Sequence, residues 1–265
     1  MAETNAQVVH RRIENGVLTL TLDRPEVHNA LNHAMLQGLL DGLAVARETA
    51  GIRVVVIAAK GPNFSAGVDL AHMERLNRMP RAESVADGLL IAEVLAAIRS
   101  LSQPTVAAVQ GPVFGGALAV VVACDLLVAS TVARFSAAET RLGLVPVLLT
   151  PYLADKVGRA VARRLLLTCE RIDAAEAFRI GLADQLAEPE ELEADVAGLV
   201  RKLARSAPGA LAATKRILSG PAEPPLTPAA MREAAEAIAT ARAGEEAADG
   251  ISAFLAKGKP SWAPA

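Results

Sequence analysis

The sequence predicts an α/β fold, and three observations lead to that prediction. Strand-like and helix-like segments alternate through the first half of the chain, as in a sheet covered by helices. After Pro151 the segments are almost all helical in pattern. With 265 residues, 52% of them hydrophobic, the chain can bury a large core without disulfides or metals. We expect one domain with a helical C-terminal extension.

The first elements are a hairpin, a helix and a buried strand. Residues 7–24 contain two β-rich runs around Asn15-Gly16, and the second run alternates leucine with valine and threonine. From His33 to Ala50, leucines recur at helical spacing, and Gly51 follows as a cap. The run from Val54 to Ile57 is continuously apolar, which predicts a strand covered on both faces.

The alternation then continues, and the chain becomes helical towards its end. The next predicted elements are a helix from Glu83 to Arg99, a strand from Thr105 to Val109, a glycine-rich turn, a short helix through Val120 and a strand from Asp125 to Ala129. The later predicted helices are Tyr152 to Val157, Ala160 to Leu167, Ala174 to Ile180, Glu190 to Ser206, Gly209 to Ser219 and Thr227 to Ala256. Pro221 to Pro228 is the most loop-like segment, and it is too short for an interdomain linker.

Charge and composition exclude several classes of function. The formal net charge is -2, so the chain shows no global preference for nucleic acid or for an anionic membrane surface. The longest apolar stretch, Val113 to Cys124, is shorter than the roughly 20 residues that cross a bilayer. No secretory or transit pattern is visible at the N-terminus, so we expect a cytoplasmic protein. Cys124 and Cys169 lie in separate apolar runs and are expected to be buried thiols, with no metal site.

Signatures of common enzyme classes are absent from the sequence. We find no GxxxxGK[ST], GxGxxG, HExxH, GxSxG or paired CxxC motif, which disfavours nucleotide-phosphate, zinc-protease and α/β-hydrolase chemistry. A hydrolytic triad of Ser65, Asp69 and His72 can be written down. All three residues fall within one loop and helix start, where they could not easily converge, so this reading is disfavoured.

Two segments rich in small residues each follow a predicted strand. Asn63 to Leu70, with the sequence NFSAGVDL, precedes a helical stretch, and Gly111 to Ala117, with the sequence GPVFGGA, opens a short helix. Free amides at such turns attract negative charge. Two amides from separate turns could converge on one carbonyl oxygen and stabilise it as an enolate, as an oxyanion hole does. Alternatively, the glycines only permit tight turns and close packing.

Glu139 is the third candidate, because it is a carboxylate between apolar stretches. Burial in such a place raises the pKa of a carboxyl, which suits general acid and base catalysis near neutral pH. A structural role, such as pairing with Arg141 or capping the next turn, remains open on this pattern alone.

Five segments resemble one family, in the same order and over nearly the whole chain. They are LDRPEVHNALN (22–32), NFSAGVDL (63–70), QGPVFGGALAVVVACDLLVAS (110–130), ARFSAAETRLGLVP (133–146) and EEAADGISAFLAKGKPSW (245–262). Together they resemble the enoyl-CoA hydratase/isomerase (crotonase) superfamily. The resemblance implies a repeated ββα core over residues 1–200, and a helical C-terminal region over 201–265 that supports trimerisation and covers the substrate. It also implies a homotrimer or a dimer of trimers.

The resemblance further implies an acyl-CoA thioester as substrate, with CoA as part of the substrate and no separate cofactor. By position, the backbone amides of Ala66 and Gly116 would hold the thioester oxygen, and Glu139 would move the proton. The CoA contacts implied by the resemblance are Ser65, Ala66, Gly67, Asp69, Leu70, Phe254 and Lys257. Asp69 is interpreted as a helix-start residue rather than a catalyst, and His72 as a packing or surface residue.

One departure from the family pattern leaves the reaction open. The best-known hydratases of the family carry two glutamates, and here the first position is Ala119 while the second is Glu139. Single-glutamate hydratases similar to methylglutaconyl-CoA hydratase are the nearest subgroup, on the segments 142–146 and 150–152. The alternatives are an isomerase with the same glutamate and a non-catalytic acyl-CoA-binding scaffold. For Arg141 a structural role is preferred over binding a distal substrate carboxylate.

Overall fold

The computed structural model describes residues 8–76, 78–220 and 227–263. Its main sheet has six strands in the order β1-β2-β3-β4-β6-β9, and a smaller sheet has the order β5-β7-β8. The strands are β1 Val9–Glu14, β2 Val17–Leu22, β3 Val54–Ala59, β4 Thr105–Val109, β5 Val113–Phe114, β6 Leu126–Ser130, β7 Arg134–Ser136, β8 Ile172–Asp173 and β9 Gln185–Ala187. In the main sheet only the β1-β2 hairpin is antiparallel.

Ten α-helices are present in the described part of the chain, and they confirm the α/β class with a helical C-terminal region. They are α1 His33–Glu48, α2 Leu70–Leu76, α3 Arg81–Ser100, α4 Gly116–Ala123, α5 Leu149–Thr168, α6 Ala174–Arg179, α7 Leu192–Ala204, α8 Pro208–Leu218, α9 Pro228–Ala243 and α10 Glu245–Leu255. None of the helices within these described ranges is long and apolar enough to cross a bilayer.

The central strand β3 is covered on both faces, as its apolar run predicts. Val55 and Ile57 belong to a large core shared with α1, α3, α4 and α5. Val54 and Val56 face a second, smaller core shared with α7. Successive side chains of a strand point to opposite faces, so an unbroken apolar run is required when both faces are covered.

Several predicted boundaries differ from the structure. The predicted helix from Thr227 to Ala256 is two helices, because the chain turns at Gly244 between α9 and α10. The break predicted between Val157 and Ala160 is a kink inside α5, where Gly158 has φ +78°. Strands β5, β7, β8 and β9 have two or three residues each and were not predicted. Residue 7 of the predicted hairpin and 221–226 of the predicted loop lie outside the described residues.

Candidate active site

The two segments rich in small residues lie side by side in the structure. The backbone amide of Ser65 donates to the carbonyl of Pro112 at 3.2 Å, and the amide of Phe114 donates to the carbonyl of Ser65 at 3.1 Å. These bonds form a short parallel bridge between Ser65 and Val113. The predicted convergence of the two turns is therefore present in the fold.

Two backbone amides, those of Val68 and Gly116, face each other across this junction. The backbone amide of Asp69 donates to the carbonyl of Leu31 at 2.9 Å, and the amide of Leu31 donates to the carbonyl of Gly67 at 2.7 Å. In such a parallel bridge the intervening residue, Val68, turns its own amide away from Leu31. No acceptor for the Val68 amide is found among the described residues. It lies 4.0 Å from the position that a Cβ on Gly116 would occupy.

The Gly116 amide also has no acceptor within the described ranges, for a different reason. Gly116 is the first residue of α4, and the first amides of a helix have no acceptor within it. A Cβ at Gly116 would lie 2.9 Å from Cγ2 of Val68, so a larger residue would push the two turns apart. A helix N-terminus also carries partial positive charge, which favours a developing oxyanion there.

The Ala66 amide has a partner inside the fold, contrary to what an oxyanion-hole donor requires. It donates to the carbonyl of His28 at 2.9 Å. The predicted pair of Ala66 and Gly116 therefore does not match the hydrogen bonding of this segment. Between Ala66 and Val68 lies Gly67 with φ +94°, which turns the chain so that the Val68 amide is the one left without a partner.

Glu139 begins a short 3₁₀ turn, Glu139–Leu142, beside the same junction. Its Oε2 is buried and has no hydrogen-bond partner among the described residues. Its Oε1 would lie 3.6 Å from a Cβ placed on Gly115, the residue before α4. Burial raises the pKa of Glu139 above its ordinary value, and a backbone hydrogen bond opposes this effect. The structure thus places a carboxyl of raised pKa next to the free amides.

One cavity of about 240 Å³ joins these groups. Val68, Gly115, Gly116 and Glu139 line it. The other lining residues are Ala66, Gly67, Leu70, Met73, Phe114, Ser136, Ala138, Arg141, Leu142, Leu144 and Arg171. Among the described residues on its wall Glu139 is the only carboxylate, and most of the other side chains there are apolar, which strengthens electrostatic interactions inside.

The remaining predicted site residues have varied positions. Asp69 caps α2, because its Oδ1 accepts from the amides of Ala71 at 3.0 Å and His72 at 3.3 Å. Its Oδ2 also lies 3.4 Å from the Arg24 guanidinium. Leu70 is exposed at the cavity. Phe254 and Lys257 are exposed in the C-terminal region and do not line the cavity. Their predicted contact with CoA stays a prediction.

The hydrolytic triad is not formed. The Ser65 hydroxyl donates to Asn29 rather than to an imidazole. His72 is buried, with Nε2 2.7 Å from Asp87, and its Nδ1 lies 2.8 Å from Arg75. His72 therefore joins α2 to α3 as a packing residue. Both cysteines are free and buried, as predicted.

A larger groove of about 640 Å³ lies beside α1 and α2, but several of its charged groups pair with each other. Arg24 pairs with Asp69 and donates to the Ala30 carbonyl at 2.7 Å, and Arg11 lies 3.9 Å from Asp41. We therefore assign the chemistry to the smaller cavity. Across the described residues, no cluster of three or more His, Cys, Asp or Glu side chains is arranged to hold a metal ion.

The comparison with known families agrees with this geometry. The family model for enoyl-CoA hydratase/isomerase matches residues 12–264. The chain belongs to the enoyl-CoA hydratase/isomerase family. Within that family, the chain is similar to a crystal structure of an enoyl-CoA hydratase from Shewanella pealeana, with a TM-score of 0.91, 30% identity and 96% of each chain covered. The predicted crotonase-like fold is thereby confirmed.

Relatives by sequence include both reaction types of the family. The 2,3-dehydroadipyl-CoA hydratase of Escherichia coli is 33% identical, with 93% of this chain and 94% of the relative covered. The trans-2-decenoyl-[acyl-carrier-protein] isomerase of Streptococcus mutans is 31% identical, with 78% of this chain and 79% of the relative covered. Family membership therefore indicates an enzyme that is a hydratase or an isomerase.

Proposed function

We propose that the protein adds water across the 2,3 double bond of an enoyl-CoA thioester. The observation that carries this proposal is the Glu139 carboxyl, whose buried Oε2 has no hydrogen-bond partner among the described residues, in the same cavity as the Val68 and Gly116 amides. The carboxyl can move protons, and the amides can stabilise negative charge on the thioester oxygen. Val68 replaces the predicted Ala66 as donor, because the Ala66 amide is bonded to His28.

One carboxylate is sufficient for this reaction. Ionised Glu139 takes a proton from water while the oxygen of that water bonds to C3. The electron pair of the double bond moves through C2 onto the thioester oxygen, where the two amides hold the enolate. The enolate then collapses, and the protonated carboxyl returns a proton to C2. Atoms and charge balance, and Glu139 ends ionised, so the absence of a glutamate at Ala119 does not prevent hydration.

Isomerisation is the second candidate, and the lining of the cavity favours it. Glu139 is the only carboxylate among the described lining residues, and Leu70, Met73 and Leu144 line the same cavity, so the cavity suits proton transfer between two carbons. Glu139 would take a proton from C2 of a 3-enoyl thioester, the two amides would hold the oxygen of the resulting dienolate, and Glu139 would return the proton at C4 as the C2–C3 double bond forms. The similarity to the Streptococcus mutans isomerase is a further reason to keep this candidate.

The test is the ultraviolet absorbance of 2-enoyl-CoA and 3-enoyl-CoA substrates with the purified protein. Hydration removes the conjugated thioester of the first, and isomerisation creates it from the second. Glu139→Gln should lower turnover by about 10²-fold or more, since it removes a general acid/base, and should leave substrate binding nearly unchanged. The matched control is Glu188→Gln, which should keep full activity. Glu188 is an exposed carboxylate that is hydrogen-bonded to Thr131.

Two results would count against the proposal. Full turnover by Glu139→Gln would remove the proton-transfer role of this residue. An unchanged absorbance with every substrate, together with measurable acyl-CoA binding, would favour the non-catalytic scaffold.

A further inference from the structure

Ser65 lies where the turn that carries the Val68 amide meets the turn that carries the Gly116 amide. Its backbone amide and carbonyl both bond to the segment that leads to Gly116, through Pro112 and Phe114. Three residues further along its own segment is Val68, the second donor. Ser65 therefore lies in one of the two turns and is hydrogen-bonded to the other.

The side chain of Ser65 makes two further hydrogen bonds. It is 0% exposed. Its hydroxyl donates to the carbonyl of Asn29 at 2.7 Å and accepts from the amide of Gly67 at 3.2 Å. The hydroxyl does not line the cavity, so it is oriented into the fold and away from the substrate space.

Asn29 gives this hydroxyl a fixed acceptor. Asn29 is 0% exposed, and its side chain accepts from the amide of Arg24 at 2.8 Å. The same side chain donates to the carbonyls of Lys60 at 2.8 Å and Asn63 at 2.9 Å. The loop that receives the Ser65 hydroxyl is thus tied to the residues that lead into the segment it supports.

The bond from Gly67 to Ser65 bears on the direction of the Val68 amide. Gly67 has φ +94°, a backbone conformation that glycine can adopt or leave without a steric penalty. Its amide is held by Ser65 and its carbonyl by Leu31. In a trans peptide the C=O and the following N–H point in opposite directions, so fixing the Gly67 carbonyl directs the Val68 amide to the side of Gly116.

We propose that Ser65 is a positioning residue for the oxyanion hole. Its hydroxyl holds the Ala66–Gly67 peptide, which directly precedes the peptide that carries the Val68 amide, and so keeps the Val68 and Gly116 amides directed at one point. This inference rests on the proposed function, since it assigns a cause to the direction of one of its two donors. Without the hydroxyl, the buried amide of Gly67 and the carbonyl of Asn29 each lose a partner, and the Ala66–Gly67 peptide is no longer held on that side, while the Gly67 carbonyl keeps its bond from Leu31.

The experiment measures polarisation of a bound thioester carbonyl. The probe is 2,4-hexadienoyl-CoA with ¹³C at the thioester carbonyl, bound to Glu139→Gln so that it is not consumed, and the readout is the infrared carbonyl stretch. Two donors lower this frequency relative to free probe. Adding Ser65→Ala should remove about half of the shift or more, because one of two donors is misdirected. Adding Ser130→Ala, which alters another fully buried serine, should leave the shift unchanged.

Kinetics with Glu139 intact provide the second readout. Ser65→Ala should lower kcat by about 10-fold or more, while KM changes by less than about threefold, because the donors act mainly in the transition state. Ser65→Cys, close in size but a weak hydrogen-bonding group, is the variant to use if Ser65→Ala does not fold, and it should show a smaller loss of the same kind. Ser65→Thr keeps the hydroxyl, and its kcat should be close to that of the unaltered protein.

Two outcomes overturn the inference, and they are distinguishable. If the infrared shift of Glu139→Gln is unchanged by Ser65→Ala and by Ser65→Cys, the hydroxyl has only a structural role. If Glu139→Gln binds the probe without any shift and the unaltered protein has no turnover, the donor pair itself is absent. In that second case the proposed function fails together with the role of Ser65.

Discussion

At the scale of single residues, the decisive feature is a carboxyl with one buried oxygen that has no partner among the described residues. Glu139 Oε2 is buried and unpaired among the described residues, an arrangement that costs stability unless the group is protonated or bound to a ligand. The sequence predicted both the residue and the direction of its pKa, because apolar segments flank it. Perturbed carboxyls of this kind concentrate at functional sites.

Removing this charge should stabilise the protein at neutral pH. The folded state raises the pKa of Glu139 above its usual 4.5, so ionisation is less favourable in the folded chain than in the unfolded chain. The resulting cost is present above the folded-state pKa and is lost as the pH falls through it. We therefore expect Glu139→Gln to have a higher free energy of unfolding than the unaltered protein at pH 7.5, and the difference to shrink towards pH 4.5.

Urea unfolding at the two pH values measures this difference. Glu188→Gln is the control, because Glu188 is exposed and should show no comparable gain. An equal stability of Glu139→Gln and the unaltered protein at both pH values would show that the carboxyl is not desolvated.

The identity of the second donor could not be read from the sequence. Ala66 and Val68 both lie in the segment that the pattern selected, and the choice between them depends on which amide is already bonded. That is decided by carbonyls of His28 and Leu31, far away along the chain, and by the positive φ of Gly67. Residue spacing carries no information about these contacts.

At the scale of elements, α8 is attached to the main sheet by a partly buried ion pair. Lys215 is 9% exposed, and its Nζ lies 2.6 Å from Asp125 and 3.1 Å from the carbonyl of Gln103. Asp125 also accepts from the amide of Thr105 at 2.7 Å and from its hydroxyl at 2.8 Å. The pair therefore joins α8 to the starts of β4 and β6, on residues that do not line the active-site cavity.

Lys215→Met should lower the free energy of unfolding by about 3 kcal/mol, because it leaves the partly buried charge of Asp125 without its cation. Thermal or urea unfolding measures the change, and kcat should stay within about twofold because the active-site cavity is untouched. Lys202→Met, at an exposed position of α7, is the control. A stability loss no larger than that of the control would show that the ion pair contributes little.

Long helices and strands were easier to predict from the sequence than short ones. The helix α1, the strand β3 and the hairpin each carry a repeated hydrophobic pattern over several residues. Strands such as β5 and β8 have only two residues, too few to show a period, and they are specified by hydrogen bonds to β7. The break at Gly244 was missed because alanine-rich helical pattern continues on both sides of it.

At the scale of the whole molecule, the C-terminal helices α9 and α10 contain no buried residue in the single chain. Ile251, Phe254 and Leu255 of α10 are 57%, 82% and 77% exposed. Apolar side chains grouped in this way are typical of surfaces that contact another protein. They are compatible with the trimer that the family resemblance implies.

We expect native mass spectrometry to show three or six copies of the chain. Ile251→Asp combined with Phe254→Asp should move the population towards monomers, because charges would replace apolar groups at the predicted interface. Arg242→Asp, a charge change near the end of α9, is the control for a general effect of charge. A monomeric unaltered protein would contradict the predicted assembly.

The single measurement that bears most directly on the active site is a crystal structure of Glu139→Gln with a bound 2-enoyl-CoA. We expect the thioester oxygen to lie about 3 Å from both the Val68 and the Gly116 nitrogen atoms, a normal hydrogen-bond distance. The side chain at position 139 should face C2 and C3. A thioester oxygen bound elsewhere, or an acyl chain lying in the groove beside Arg24, would contradict this site.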